Sequence, residues 1–214
     1  MRIKYLICVM LLISMFLCSC NGKELVSKNE KNKNNNEQEN IIVKTEVTLG
    51  SCSLDDMNKD NYILSLRLYK GEYYEEYTPG SNFGGNWTGK FKLCIIDSLD
   101  GRVIDSYEIS EWDEFTIKDK VNITLKDYNK DGNYEFLLGQ YGSSNLNIYK
   151  MYYITKDFKI GYYDKIGEIN ISNESYSPEL KINNEGNIEY SYYDNSVGDT
   201  IKKSIDINLL VTKN

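Results

Sequence analysis

The residues best placed to do chemistry lie in one run, Asp127-Tyr128-Asn129-Lys130-Asp131-Gly132-Asn133-Tyr134-Glu135. Side-chain oxygens recur at its first, third, fifth and ninth positions, on Asp127, Asn129, Asp131 and Glu135. Gly132 stands sixth, where a loop closing round an ion needs a sharp turn. Hard oxygen donors in this alternation suit calcium, which takes six to eight such ligands. Repulsion argues the same way. Carboxylates ~6 Å apart would cost roughly 1–3 kcal/mol per pair, and a divalent cation removes that cost. At about ten times its dissociation constant such an ion adds only about 1.4 kcal/mol, so its expected role is structural, not catalytic. Asn, Asp and Gly also build ordinary turns, which leaves a plain polar hairpin as the alternative. The spacing is tighter than turn chemistry alone requires.

A helix-flanked calcium loop would carry a bidentate Glu at its twelfth position. Here that position is Leu138, and the flanks Val121–Leu125 and Tyr134–Gly139 read as strands. The setting expected is therefore strand, loop, strand.

Catalytic constellations are sparse. The chain has no histidine, which removes Ser–His and Cys–His nucleophile pairs and histidine-held zinc. Acidic neighbours occur at Asp55/Asp56, Glu75/Glu76 and Glu111/Asp113/Glu114. Adjacent residues on a strand face opposite ways, so these read as solvated surface and not as a pair of glycosidase carboxylates. The expectation is a protein that is not an enzyme. Aromatics in Tyr77-Thr78-Pro79-Gly80-Ser81-Asn82-Phe83-Gly84-Gly85-Asn86-Trp87 form a second candidate. Tyr77, Phe83 and Trp87 could stack on sugar rings or grip a peptide; the alternative is a long hairpin loop whose aromatics cap the core.

The elements that would position these residues are strands. Alanine, the best helix former, is absent, and 19 tyrosines favour sheet. Period-two alternation runs through Tyr62–Leu68, Phe91–Ile95, Val121–Leu125, Leu146–Ile154 and Ile188–Tyr192, and apolar residues recur at Ile201, Ile205, Ile207 and Leu209. Turn signals at Asp100-Gly101, Asp131-Gly132, Glu185-Gly186 and Gly198-Asp199 separate them. Residues 53–60 have room for one short helical turn. The fold class expected is all-β, with antiparallel sandwich-like or partial propeller-like sheets after a disordered N-terminal tether.

The chain opens with Arg2 and Lys4, then an apolar run from Tyr5 to Leu17 that is too short for a membrane span. Leu17-Cys18-Ser19-Cys20 follows and resembles the lipobox of bacterial lipoproteins. The resemblance implies a signal peptide over 1–19, cleavage before Cys20, and a diacylglycerol and palmitate anchor on Cys20. Two acyl chains suffice for stable anchoring. Residues 20–40 are nearly free of apolar side chains and read as a disordered tether; residues 41–214 read as one β-rich domain. The formal charge is −7, and loss of Arg2 and Lys4 with the signal makes it −9. No nucleic-acid partner is expected of so acidic a chain. The expected partners are the membrane, through lipid alone, and an envelope glycan or protein.

Residues 125–139 resemble the calcium-loop repeats of FG-GAP and VCBS-like bacterial surface proteins. That resemblance implies a binding or scaffold role, side-chain ligands from Asp127, Asn129, Asp131 and Glu135, and a backbone carbonyl ligand from Asn133. A weaker echo at Asn183–Tyr190 has Lys181 in the first ligand position and is expected to be an ion-free hairpin. One good copy is too few for a propeller, so a sandwich is favoured.

Cys52 and Cys94 are the two thiols left once the signal and the lipidated residue are set aside. In an exported chain they would form a disulfide, or else be two small buried apolar residues. The function expected is a membrane-anchored extracytoplasmic lipoprotein with a structural calcium loop, acting as a binding or scaffold module. A carboxylate-dependent hydrolase of envelope polysaccharide is the alternative, and an interaction subunit of a larger complex a third.

Overall fold

The structure, a computed structural model, describes residues 40–118, 120–173 and 175–212. The signal segment, Cys20 and the tether apart from Asn40 lie outside them. The described chain is all-β, with two single 3-10 turns at Asp55–Met57 and Ile207–Leu209.

The first sheet is built on two long strands, β3 (Tyr62–Glu76) and β4 (Gly84–Asp97). Leu64, Leu66 and Leu68 pair with Ile95, Leu93 and Phe91, and these six side chains share one buried face. β1 (Ile41–Val43) and β2 (Val47–Ser53) flank β3, while β5 (Val103–Ile109) and β6 (Phe115–Ile117) flank β4. The flanking partners change at a bulge after Leu68, beside the facing pair Gly71 and Gly89. A methyl group on either would collide with the opposite backbone, and Gly89 has φ +141°, so both positions need glycine.

The second sheet holds β7 (Tyr134–Ser143), β8 (Leu146–Ile154), β9 (Ile160–Tyr162) and β10 (Ile169–Ile171), all antiparallel. It is the middle layer. Phe136, Leu138, Tyr152 and Ile154 enter a core shared with the first sheet. Leu137, Tyr149, Met151 and Tyr153 face the other way, into a second core with Ile188 and Ile205. Those last two belong to the third sheet, β11 (Lys181–Ile182), β12 (Ile188–Asp194) and β13 (Asp199–Ile205). The result is a sandwich of three layers, held mainly by burial of both faces of the middle sheet.

Two expectations about local structure need correction. Val121–Leu125 is not a strand. Val121 makes one parallel bridge to Gly50, and Val121 and Ile123 bury their side chains in the first core without a ladder. The alternation there reflects burial of every second residue and not strand pairing. Trp87 is likewise not on a loop: it stands within β4 opposite Tyr73, because β3 and β4 continue to within a few residues of the hairpin tip.

Candidate metal centre

The 127–135 loop is closed by the pair Lys126 and Glu135, whose backbones exchange hydrogen bonds of 2.9 and 2.8 Å. Between them the chain reverses through two left-handed residues, Lys130 (φ 60°) and Gly132 (φ 85°). Gly132 supplies the sharp turn expected of the sixth position. Asp127 accepts from the N–H groups of Asp131 (3.2 Å) and Gly132 (3.0 Å). The Asn129 side-chain oxygen accepts from the same Asp131 N–H at 3.2 Å. Asp131 accepts from the Asn133 N–H at 2.8 Å and from its side-chain amide at 3.0 Å. The Asn133 oxygen in turn accepts from the Lys156 N–H at 3.1 Å. The loop is thus folded inward on its own oxygen side chains.

Glu135 differs from the rest. It is the second residue of β7, on the face that carries Leu137, so alternation drives its side chain into the second core, where it is 0% exposed. One oxygen accepts from the Tyr128 N–H (3.1 Å) and the other from the Tyr163 hydroxyl (3.1 Å). Burial pushes its pKa up to about 8, and the charges of Asp131 and Asp127 push the same way, against these two hydrogen bonds. The Tyr163 phenol is raised by burial and by the facing carboxylate. No cationic side chain donates to Glu135 among the hydrogen bonds and ion pairs of the described residues.

The donor set is all hard oxygen, the type calcium takes, and Glu135 is a buried carboxyl with two hydrogen-bond donors and no cationic partner among the described residues. Asp127, Asn129, Asp131 and Glu135, with the Asn133 carbonyl, are the residues that could hold the ion. Among the described residues, no three Cys, Asp or Glu side chains are gathered to hold a metal ion, and Asp127, Asp131 and Glu135 are not an exception. The loop is also tied to the third layer: the Asn129 amide donates to the Leu210 carbonyl (2.9 Å), and the Tyr128 hydroxyl accepts from the Leu180 N–H (2.8 Å). Tyr163, Leu180 and Leu210 gave no signal in the sequence, because only the stacking of the layers brings them to the loop. The second loop, 183–187, is a hairpin in which Asn183 accepts from the N–H groups of Glu185 and Asn187.

The three aromatics proposed as ligand anchors do not converge. Trp87 packs against Tyr73, with ring centroids 4.9 Å apart, and against the first core. Tyr77 donates to Glu75 at 2.5 Å and lies edge-on to Phe83 at 5.3 Å. Phe83 alone of the three lines an open cleft. The disulfide does not form: Cys52 and Cys94 are free thiols.

Of the acidic residues set aside as surface, Glu111 is partly buried. One of its oxygens accepts from Ser110 N–H (2.8 Å) and the Tyr107 hydroxyl (3.3 Å); the other is buried without a partner. Lys150 donates to the Glu111 carbonyl and lies 4.8 Å from the Trp112 ring, whose N–H donates to the Tyr152 hydroxyl at 3.0 Å. This network links the first two layers.

Comparison with protein families, with curated proteins and with solved structures finds no match to this chain.

Proposed function

We propose that the chain is a lipoprotein, anchored through Cys20 on the outer side of a bacterial membrane. In this reading its folded part is a binding or scaffold module stabilised by calcium at the 127–135 loop. The observation that carries it is Glu135, a carboxylate buried in an apolar core beside two further carboxylates. Desolvating an unpaired charge is costly unless it is neutralised. A proton does so only below a pH of about 8. Calcium, abundant outside cells, does so at any pH where the loop is ionised, and its role would be structural, with no chemical step assigned to it. The proposed module performs no catalysis.

The test is thermal melting of the full chain in excess calcium and in chelator. A rise of about 3–6 °C with calcium is expected, since about 1.4 kcal/mol corresponds to that shift at this size. Equal midpoints would remove the calcium site. The anchor is tested separately, by the mass of the N-terminal peptide: an acylated Cys20 supports it, and an unprocessed Met1 terminus rejects it.

A further inference from the structure

An open cleft of about 710 Å³ lies between the tip of the β3–β4 hairpin and the turn joining β7 to β8. Its size falls within the range of about 300–1,000 Å³ typical of small-ligand sites. Its lining is mostly asparagine and serine, with the aromatics Phe83, Tyr141 and Tyr176 among them. Phe83 is 55% exposed.

The walls are held before any ligand arrives. Asn147, 8% exposed, donates its amide to the Asn173 carbonyl at 2.8 Å. Behind it the Tyr149 hydroxyl donates to the Ser175 carbonyl at 2.5 Å. Across the cleft, the fully buried Asn86 amide donates to the carbonyls of Asn82 (2.9 Å) and Gly84 (2.8 Å), fixing the hairpin tip. The Tyr141 hydroxyl donates to the Gly80 carbonyl at 2.8 Å and joins tip to middle sheet. Such preorganisation lowers the ordering cost of binding.

Charge narrows the ligand. Lys118 is the one cationic side chain among the described lining residues, and no carboxylate is among them. A polyphosphate would need more cations than this lining offers. A lipid chain would leave the lining amides and hydroxyls unsatisfied. An uncharged ligand with many hydroxyls and apolar ring faces satisfies both parts of the wall: Asn and Ser can donate and accept, and the aromatics can cover C–H faces. We infer that this cleft binds a short neutral oligosaccharide. The inference deepens the binding-module reading and rests on it for the choice of an envelope ligand, but not on the calcium loop.

The experiment is calorimetric titration of the full chain, in a non-glycosidic detergent, with cellotetraose, maltotetraose and chitotetraose, and with an uncharged peptide of similar length. Each titration is run in calcium and in chelator. At least one sugar is expected to bind with Kd below about 1 mM. Phe83→Ala and Ser144→Trp, both at exposed positions of the lining, are each expected to weaken it about tenfold or more while leaving the melting midpoint within about 2 °C, since neither side chain is part of a core. Leu99→Ala, outside the lining, should change nothing. The inference is overturned if no sugar binds at about 10 mM, if binding ignores both lining variants, or if the peptide binds instead. No sugar binding alongside a calcium-dependent midpoint removes the cleft inference and leaves the calcium reading standing; sugar binding with no calcium effect does the reverse.

Discussion

Cys52 and Cys94 lie on opposite faces of one sheet. Cys52 is paired with Leu64, and Leu64 with Ile95, so these three side chains share the core face. Cys94 is paired with Ser65, and Ser65 with Ser51, one residue out of step and therefore on the other face. A sheet backbone separates the two sulfurs, and no rotamer brings them together. Burial also raises both thiol pKa values, that of Cys52 to about 12, so neither is a ready thiolate.

Alkylation in denaturant without reductant should therefore label both the Cys52 and the Cys94 peptides in full. In native buffer both should label slowly. A cross-linked peptide in the unreduced digest would reject the register described here.

Replacing Glu135 by Gln removes the buried charge and keeps the shape. Without calcium at pH 8, Glu135→Gln should melt higher than the parent by about 2–8 °C, taking about 1–2 kcal/mol for the charge conflict removed. The same change should abolish the calcium-induced rise. A variant that melts lower in chelator yet still responds to calcium would show that Glu135 is neither a strained anion nor a ligand.

The pH dependence in chelator has a definite sign. The folded-state pKa of Glu135 is raised, from the ordinary carboxylate range to about 8. Between those values the folded chain holds a proton that the unfolded chain has lost. Stability from this group is full below about pH 4 and falls as pH rises towards 8. The midpoint of the parent should drop across that window by more than that of Glu135→Gln. Calcium should flatten the difference. Equal pH profiles for parent and variant would mean that Glu135 is ionised throughout.

Gly89→Ala should be among the most damaging single changes. The added methyl would strike the Lys70 carbonyl, and φ +141° is a conformation that side chains other than glycine rarely adopt. A loss of about 2–4 kcal/mol, read by denaturant melting, is expected. Gly101→Ala is the comparison. It also has a positive φ but open space round the added methyl, so it should cost less. Equal losses would mean that close strand approach at Gly71 and Gly89 contributes nothing.

Much of the fold was legible in the chain because strand alternation is a local signal. Leu64, Leu66 and Leu68, and Phe91, Leu93 and Ile95, report their buried face through spacing alone. β8 runs over the same residues, Leu146–Ile154, that alternation marked. Turn chemistry located the Gly132 and Gly186 reversals, both of which have positive φ. Composition without alanine settled the all-β class. The loop's donor types and their order are also written in the sequence.

What required the tertiary structure was everything that depends on which face meets which layer. Local alternation marks Val121 and Ile123 as buried, but only packing shows that they do so without a ladder. It assigns Glu135 to a face, yet that the face is covered by a third sheet, with Tyr163 beside the carboxylate, follows from stacking β12 and β13 over β7 and β8. The cysteines make the same point from the other side: two thiols in an exported chain invite a bridge on count alone, and the register of β2 on β3 and β3 on β4 puts a sheet between them. Spacing along one strand is set by bond geometry and can be read residue by residue, whereas registers and layers are set by contacts among residues far apart in the chain, and no local pattern encodes them.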